Sequence, residues 1–535
     1  MRLSSSLSLA LSVAFTSSLT QSAPTEDLGS PLNVIDRVSS FYQSKASNKG
    51  AEQVKFVQEP TVLAAESFKA AQADGPAPNS TLSFAGKAAA KYQVANTIPG
   101  IPFQVPTSWA GLMPIGSNAK LDVNSIASLV TGQTPALSFW LWGADADSPG
   151  KDDLVIWLNG GPGCSSFSGL LEENGPIRWT DKTKAPYKPD DSWTKQANTL
   201  FVEQPIGTGF STGVATARNE DDVARQFHGF FSNFLKVFPE LKPKRLWITG
   251  ESYAGMYVPY ITSYFQKHGV EVLGNFIVDG VVTDRNLQGN VVSLDYAIAM
   301  KQTLNLTDAQ IAKVKAASDK CGYTGYTAKN LNYPPKGRLP AYNKDGCDTQ
   351  DVLFEQAMAS NSYFNVYKVD YKGPPGPFDL DPLGDPNQNT RPQTWFSRRD
   401  VQDALHFPHR RPDWKQCDGP VFPFGDGSPP PDKTVLAGVI EKNQRTIIAN
   451  GQLDGLLITN GTALGLQDLT WNGKQGFSQA PTKALLGLDG KRHGTYTSER
   501  GLLFAIVDDS GHMIPEDSPS AGLALLEYML GRRDM

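Results

Sequence analysis

Short apolar runs alternate with helix-length segments along most of this chain, and that rhythm demands a mostly parallel sheet flanked by helices. The runs include ALSFWLWGA (136–144), DLVIWLNGG (153–161), NTLFVEQP (198–205), KRLWITG (244–250) and GNFIVDGVV (274–282). Rich in aromatic and β-branched residues and closed by glycine or proline, they read as buried strands. NEDDVARQFHGFFSNFLKVFPEL (219–241) reads instead as a helix. Its Val223, Phe227, Phe230, Phe231, Phe234, Leu235 and Phe238 recur at helical spacing behind an acidic first turn. MYVPYITSYFQKHG, after Gly255, reads the same way. The strand pattern returns in RTIIANGQLDG (445–455) and GLLFAIVDDSGHMIP (501–515), and SAGLALLEYML (520–530) adds a closing apolar helix.

Residues 285–430 break the rhythm. LTDAQIAKVKAASDKCG (306–322) is helical, with Thr307 as its N-cap, but the remainder is rich in proline and glycine. The segment is expected to be an inserted cap region stapled by Cys321–Cys347. The core then falls into two parts, 105–284 and 431–535. A polar, Ala- and Ser-rich stretch at 21–104 precedes it as an extension or propeptide.

The first residues combine Arg2, an apolar run from Leu3 to Phe15 and small residues before Pro24. This is the pattern of a secretory signal peptide, ending near residue 20 and cleaved between Ser17 and Ala23. No later stretch has the eighteen or so apolar residues of a membrane span, and the C-terminal LEYMLGRRDM is too charged for a lipid anchor signal. A secreted, extracellular destination is expected, with a vacuolar one as the alternative. Asn79, Asn305 and Asn460 head glycan acceptor triplets. The four cysteines, Cys164, Cys321, Cys347 and Cys417, allow three pairings, and an oxidising compartment favours two disulfides. With no C-x-x-C pair and only six histidines, neither a zinc site nor a cofactor is expected. A net charge of −5 with mixed signs argues against a nucleic-acid partner. The sequence leaves the oligomeric state open.

GESYAG, Gly250 to Gly255, is read as the G-x-S-x-G pattern. Strand before it and helix after it supply the setting of a nucleophile elbow, which makes Ser252 the candidate nucleophile. The bland alternative is a glycine-rich turn with an exposed serine. A serine nucleophile needs a base, and the base needs an orienting acid, in the chain order serine, acid, histidine for an α/β-hydrolase. Five histidines follow Ser252. His512 lies just past the apolar LLFAIV, where this fold places its base, whereas His268, His406, His409 and His493 occupy helical, cap-like or polar settings. Asp454 follows a strand and is the candidate acid. Asp508 and Asp509 stand too close in sequence to His512 to face it. WLNGGPGCSS (157–166) is a glycine-rich loop after a strand, able to turn backbone N–H groups toward an oxyanion. It lacks the G-K-[ST] ending of a phosphate loop.

WLNGGPGCSS, EENGP, FVEQPIGTGFS, GESYAG, NGQLD and SGHMIP, in that order between 105 and 530, together resemble the serine carboxypeptidases, an α/β-hydrolase family of secreted and vacuolar acid peptidases. The chain looks like a fungal extracellular member. The resemblance implies a triad of Ser252, Asp454 and His512 and an oxyanion hole from the N–H groups of Gly161 and Tyr253. It implies that Asn159, Glu173, Glu251 and the Gly160 N–H bind the C-terminal carboxylate of a peptide or protein substrate. It also implies a Cys164–Cys417 disulfide. Two close carboxyls at Glu173 and Glu251 cannot both ionise cheaply, so one keeps its proton and can donate to a carboxylate. Binding should then weaken as pH rises, with an acidic optimum. The chain departs from the family at Glu172, where an apolar residue is usual beside the pocket for the leaving residue. An unpaired acid there would favour Lys or Arg; the bland alternative is an exposed, solvated glutamate. VDGVVTDR also departs from the usual Gly-Asn-Gly at that strand end. The rival readings are an esterase or acyltransferase on the same fold, and a catalytically silent binding or protective partner. The intact triad argues against the second.

Overall fold

A computed structural model describes residues 81–116, 134–179, 185–344, 346–372, 394–408 and 414–535. The signal segment, Asn79 and His409 lie outside the described residues.

Among the described residues thirteen strands run in chain order as β1 (Gln93–Val94), β2 (Ser108–Pro114), β3 (Ala136–Trp142), β4 (Asp153–Leu158), β5 (Asn198–Glu203), β6 (Arg245–Glu251), β7 (Gly274–Val278), β8 (Arg445–Gly451), β9 (Thr470–Trp471), β10 (Lys474–Gln475), β11 (Lys483–Leu486), β12 (Arg492–Glu499) and β13 (Leu502–Val507). Among the described residues β9 and β10 pair with each other, and the others form an eleven-stranded sheet in the order β1-β2-β3-β5-β4-β6-β7-β8-β13-β12-β11. The centre, from β5 through β4, β6, β7 and β8 to β13, is parallel. Both edges are antiparallel. This is the α/β-hydrolase architecture expected from the sequence: every central strand is wholly or almost wholly buried, as a sheet covered by helices on both faces requires.

The helices that matter for the site are α1 (Ser166–Gly169), α2 (Glu220–Val237), α3 (Ala254–Lys267), α4 (Asp308–Cys321), α5 (Thr349–Ser360), α6 (Thr459–Asp468) and α7 (Pro519–Met529). Asn219 caps α2 by accepting from the Asp222 N–H, and three acidic residues fill the first turn, where the helix dipole favours them. Phe227, Phe230 and Phe234 of α2 are fully buried; Phe139 of β3 packs on Phe230 and Phe234, and Phe265 of α3 on Phe227. At about 1.5–3 kcal/mol for each buried ring, they clamp α2 and α3 to the sheet. A capping box between Thr307 and Gln310 starts α4, and left-handed Gly322 ends it.

The region read as an extension is partly sheet. Gln93 and Val94 pair with Trp109 and Ser108, and Phe84 packs edge-on against Trp109. The structured part therefore begins before residue 105, because β1 covers the edge of β2. Between β7 and β8 the described residues form α4, α5, several shorter helices such as Ser293–Ala299 and Leu436–Lys442, and irregular segments, crossed by the Cys321–Cys347 disulfide.

Candidate active site

Ser252 stands in the turn between β6 and α3 with φ 62°. A side chain in this left-handed region is strained by about 1–3 kcal/mol and persists only where its surroundings hold it. Here the Ser252 N–H donates to Val278 O at 3.0 Å, and Ser252 O accepts from Gly255 and Val281, each at 2.9 Å. The residue two places after Ser252 is Ala254, so the local pattern is G-x-S-x-A-G and not G-x-S-x-G. Gly255 is the position that needs to be bare: a Cβ there would meet Val281 N at 2.4 Å.

Asp454 follows β8, and His512 follows β13. Parallel strands bring them to the same sheet end as Ser252, although Ser252 and His512 are 260 residues apart in sequence. His512 Nδ1 lies 2.7 Å from Asp454 Oδ2, and both residues are buried. Asp454 Oδ1 accepts from the Leu456 and Leu457 N–H groups at 2.8 and 3.2 Å, so its carboxylate is oriented from both sides. The His512 N–H donates to Tyr367 O at 2.7 Å, and the Tyr367 ring packs on the imidazole. His512 Nε2 is buried without a hydrogen-bond partner among the described residues, so Ser252 Oγ makes no hydrogen bond to it.

The other described histidines have local occupations. His493 is held between Ser518 and Asp489, His268 stacks on Tyr264, His228 packs near both rings, and Nδ1 of His406 lies 3.3 Å from Ala110 O. Asp508 pairs with Arg492. Asp279, Asp454 and His512 have ligand-type atoms within 4.8 Å of one another, but the Asp454–His512 hydrogen bond already uses the atoms a cation would need.

The loop after β4 lies against the elbow. A Cβ on Gly160 would meet Tyr253 N at 2.3 Å and Ser252 Cβ at 2.8 Å, so glycine alone permits this approach. Gly161 and Gly163 take φ of 107° and 94°. Among the described residues neither the Gly161 nor the Tyr253 N–H donates to another backbone group. The loop is anchored from the far side by the Cys164–Cys417 disulfide and by Ser165 N–H to Gln416 O (2.7 Å) and Asp418 N–H to Gly163 O (3.0 Å).

Behind this loop sits a buried polar group. Asn159 Oδ1 accepts from Trp157 Nε1 at 2.8 Å and from the Gly169 N–H at 3.1 Å. Those two donors fix the amide, so its Nδ2 must face the acids. It lies 3.3 Å from Glu173 Oε1 and 3.4 Å from Glu251 Oε1. Glu173 is carried on a single π-turn, Leu170–Asn174, that continues α1. Glu173 and Glu251 are 2% and 4% exposed, and each has an Oε2 that receives no amide or hydroxyl donor. Burial raises the Glu173 carboxyl to about 7. Burial, and next the charge of Glu173, push Glu251 well above the ordinary carboxylate range. Both carboxyls are therefore held toward their neutral forms. Glu172, read as an unpaired acid, instead accepts from Gln416 Nε2 at 3.3 Å. Asn305 is exposed, while the Asn460 triplet ends in Thr462, which is buried and bonded to Gln288.

Sequence reasoning passed over Trp157, which orients Asn159. It also passed over Asp279, recorded only as part of a departure from the family pattern. The signal for Asp279 is an acid at the end of a strand that neighbours both β6 and β8.

The fold and this arrangement define a serine hydrolase of the α/β-hydrolase class. Comparison with known proteins narrows the class. The serine carboxypeptidase family profile matches residues 120–532. A probable serine carboxypeptidase of Arthroderma benhamiae is 38% identical over 486 residues, covering 83% of this chain and 87% of its own. Serine-type carboxypeptidase F of Aspergillus niger is 31% identical over 487 residues, covering 82% and 86%. The structure of Kex1(delta)p, a prohormone-processing carboxypeptidase from Saccharomyces cerevisiae, shares the fold with a TM-score of 0.65 at 24% identity, covering 83% of this chain and 96% of that one. The chain belongs to the serine carboxypeptidase family, whose members are serine-type exopeptidase hydrolases. No helix among the described residues is long and apolar enough to cross a membrane.

Proposed function

We propose that this protein is a secreted exopeptidase that releases C-terminal residues from peptides at acidic pH through an acyl-enzyme on Ser252. His512 Nε2 takes the Ser252 proton as Oγ bonds to the scissile carbonyl carbon. The N–H groups of Gly161 and Tyr253 receive the oxyanion. Asp454 holds the imidazole by Nδ1 and steadies its positive charge. The C–N bond then breaks, the amine departs with the proton from His512, and water reverses the sequence to free the acid. Secretion is supported by the leader-like N-terminus and by two disulfides, which persist in oxidising compartments.

The observation that carries the reading is the buried Asn159–Glu173–Glu251 group behind the oxyanion loop. Protonated, the pair donates to a substrate carboxylate together with Asn159 Nδ2 and the Gly160 N–H. Ionised, it repels that carboxylate. This group argues for a peptide carboxylate over the esterase or acyltransferase reading. The test is hydrolysis of a blocked dipeptide and its C-terminal amide from about pH 3 to about pH 8, with Ser252→Ala alongside. Acidic turnover of the free acid alone, lost in the variant, is the expected result. Equal turnover of the amide overturns the carboxylate-recognition reading.

A further inference from the structure

Asp279 follows β7 in a left-handed conformation, φ 40°, with its N–H donating to Ala449 O at 2.8 Å. Its side chain is fully buried, and a carboxyl oxygen lies within 4.8 Å of ligand-type atoms of both Asp454 and His512. Both available donors converge on one oxygen: Oδ1 accepts from the Gly451 N–H at 2.8 Å and from Asn450 Nδ2 at 3.3 Å. Oδ2 receives no amide or hydroxyl donor. Asp454, by contrast, has both oxygens engaged by N–H groups or the imidazole, which is the environment of a carboxylate. Two carboxylates cannot both be charged at this distance in a dry interior. Of the two, Asp279 is the one that keeps an oxygen without a donor, Oδ2, open to a proton.

We propose that Asp279 is a positioning residue for the reaction: as a neutral acid it donates a hydrogen bond from Oδ2 to the Asp454 carboxylate, and so lets His512 stay unprotonated in acidic surroundings. The inference rests on the triad reading above. A naked Asp454 would hold the imidazolium tightly and disarm the base below neutrality. A second ionised acid would hold it more tightly still. A donated hydrogen bond withdraws charge from Asp454 and relaxes that grip. Burial, then the neighbouring Asp454 charge, hold the Asp279 carboxyl well above its ordinary range, in agreement with the geometry. Other titratable groups around the cluster are Glu251 on β6, Glu173 on the π-turn, Tyr296 and Arg285 after β7, Tyr367 and Asp370 before β8, and Glu516 after His512. Burial holds Glu251, Glu173 and Tyr296 toward their neutral forms, and Arg285 opposes a charged imidazole. Neither effect replaces the donor that Asp279 supplies.

The experiment uses an uncharged ester substrate, which bypasses the Glu173–Glu251 pair, and follows the acidic limb of kcat/KM in the full-length protein. Asp279→Asn keeps a donor and tolerates the left-handed backbone. Its limb should overlay the wild type. Asp279→Gly removes the donor without backbone strain, and its limb should move up by about one pH unit with the plateau rate nearly kept. A limb that moves in Asp279→Asn, or stays in Asp279→Gly, overturns the proposal. Should the glycine variant fail to fold, difference infrared spectra of wild type against Asp279→Asn decide. A protonated-carboxyl band lost in the variant and still present at neutral pH supports the proposal, and its absence overturns it. Ser252→Ala and His512→Ala run in parallel: if they retain ester turnover, the triad reading fails instead.

Discussion

Replacing Glu173 by glutamine should flatten the pH dependence of folding stability. In the folded protein this carboxyl titrates at about 7 and in an open chain near 4.5. The folded state therefore holds the proton more tightly. The resulting stabilisation is fully present below about 4.5 and is lost as pH rises through about 7. That interval is worth on the order of 3 kcal/mol at 1.36 kcal/mol per pH unit. Glutamine keeps the shape and the acceptor facing Asn159 but has no proton to lose. Glu203, Glu220 and Asp279 are also buried acids held above their ordinary range, but they are common to both proteins and cancel in the difference; Glu251 does not, because the Glu173 charge helps raise it, and easing that in the variant adds to the difference. Urea unfolding at about pH 4.5, 5.5, 6.5 and 7.5 should show the wild type losing roughly 3 kcal/mol more than Glu173→Gln across the series. Parallel curves, or a wild type that gains stability relative to the variant as pH rises, would refute a buried neutral Glu173 and with it the acid dependence of peptide binding.

Two further changes probe the floor of the site. Gly160→Ala puts a methyl within 2.3 Å of Tyr253 N, a backbone atom that cannot yield, so kcat/KM for an ester should fall about a hundredfold and stability by about 1–3 kcal/mol. Unchanged ester turnover would show that the loop does not serve the reacting carbonyl. Asn159→Ala strands the Trp157 and Gly169 donors and removes one from the acid pair. It should cost about 2 kcal/mol of stability and raise KM roughly tenfold for a free-acid peptide, while ester KM stays within about twofold.

What could be read from the sequence was local. The central strands announced themselves because burial on both faces leaves unbroken apolar runs, as in LVIWL or LLFAIV. The helix with Phe227, Phe230 and Phe234 did so through its period. The edges were hidden: β1 has two residues, β2 contains glycine and proline, and the half-exposed β12 reads RHGTYTSE. Ser252 and His512 carry their surroundings with them, a strand on one side and a turn on the other, so their candidacy and that of Asp454 needed no coordinates. Asp279 could not be read in the same way. Its meaning depends on β7 lying beside β8, strands separated in sequence by the whole region of α4 and α5. Likewise Trp157 looks like one more core tryptophan until its indole is found on Asn159. Residues that act through a neighbour in space leave no pattern along the chain.

The order of the sheet also bears on biosynthesis. The oxyanion loop at Gly161 is made early, while Asp454 and His512 arrive after the long region between β7 and β8 has been translated. β8 and β13 must then slot in beside β7 as parallel neighbours, a long-range pairing that is intrinsically slow. A ribosome that stops between Ser252 and His512 leaves a chain with the serine but without His512. On the roles proposed here, a nascent or truncated copy has no means of cutting the proteins being folded around it.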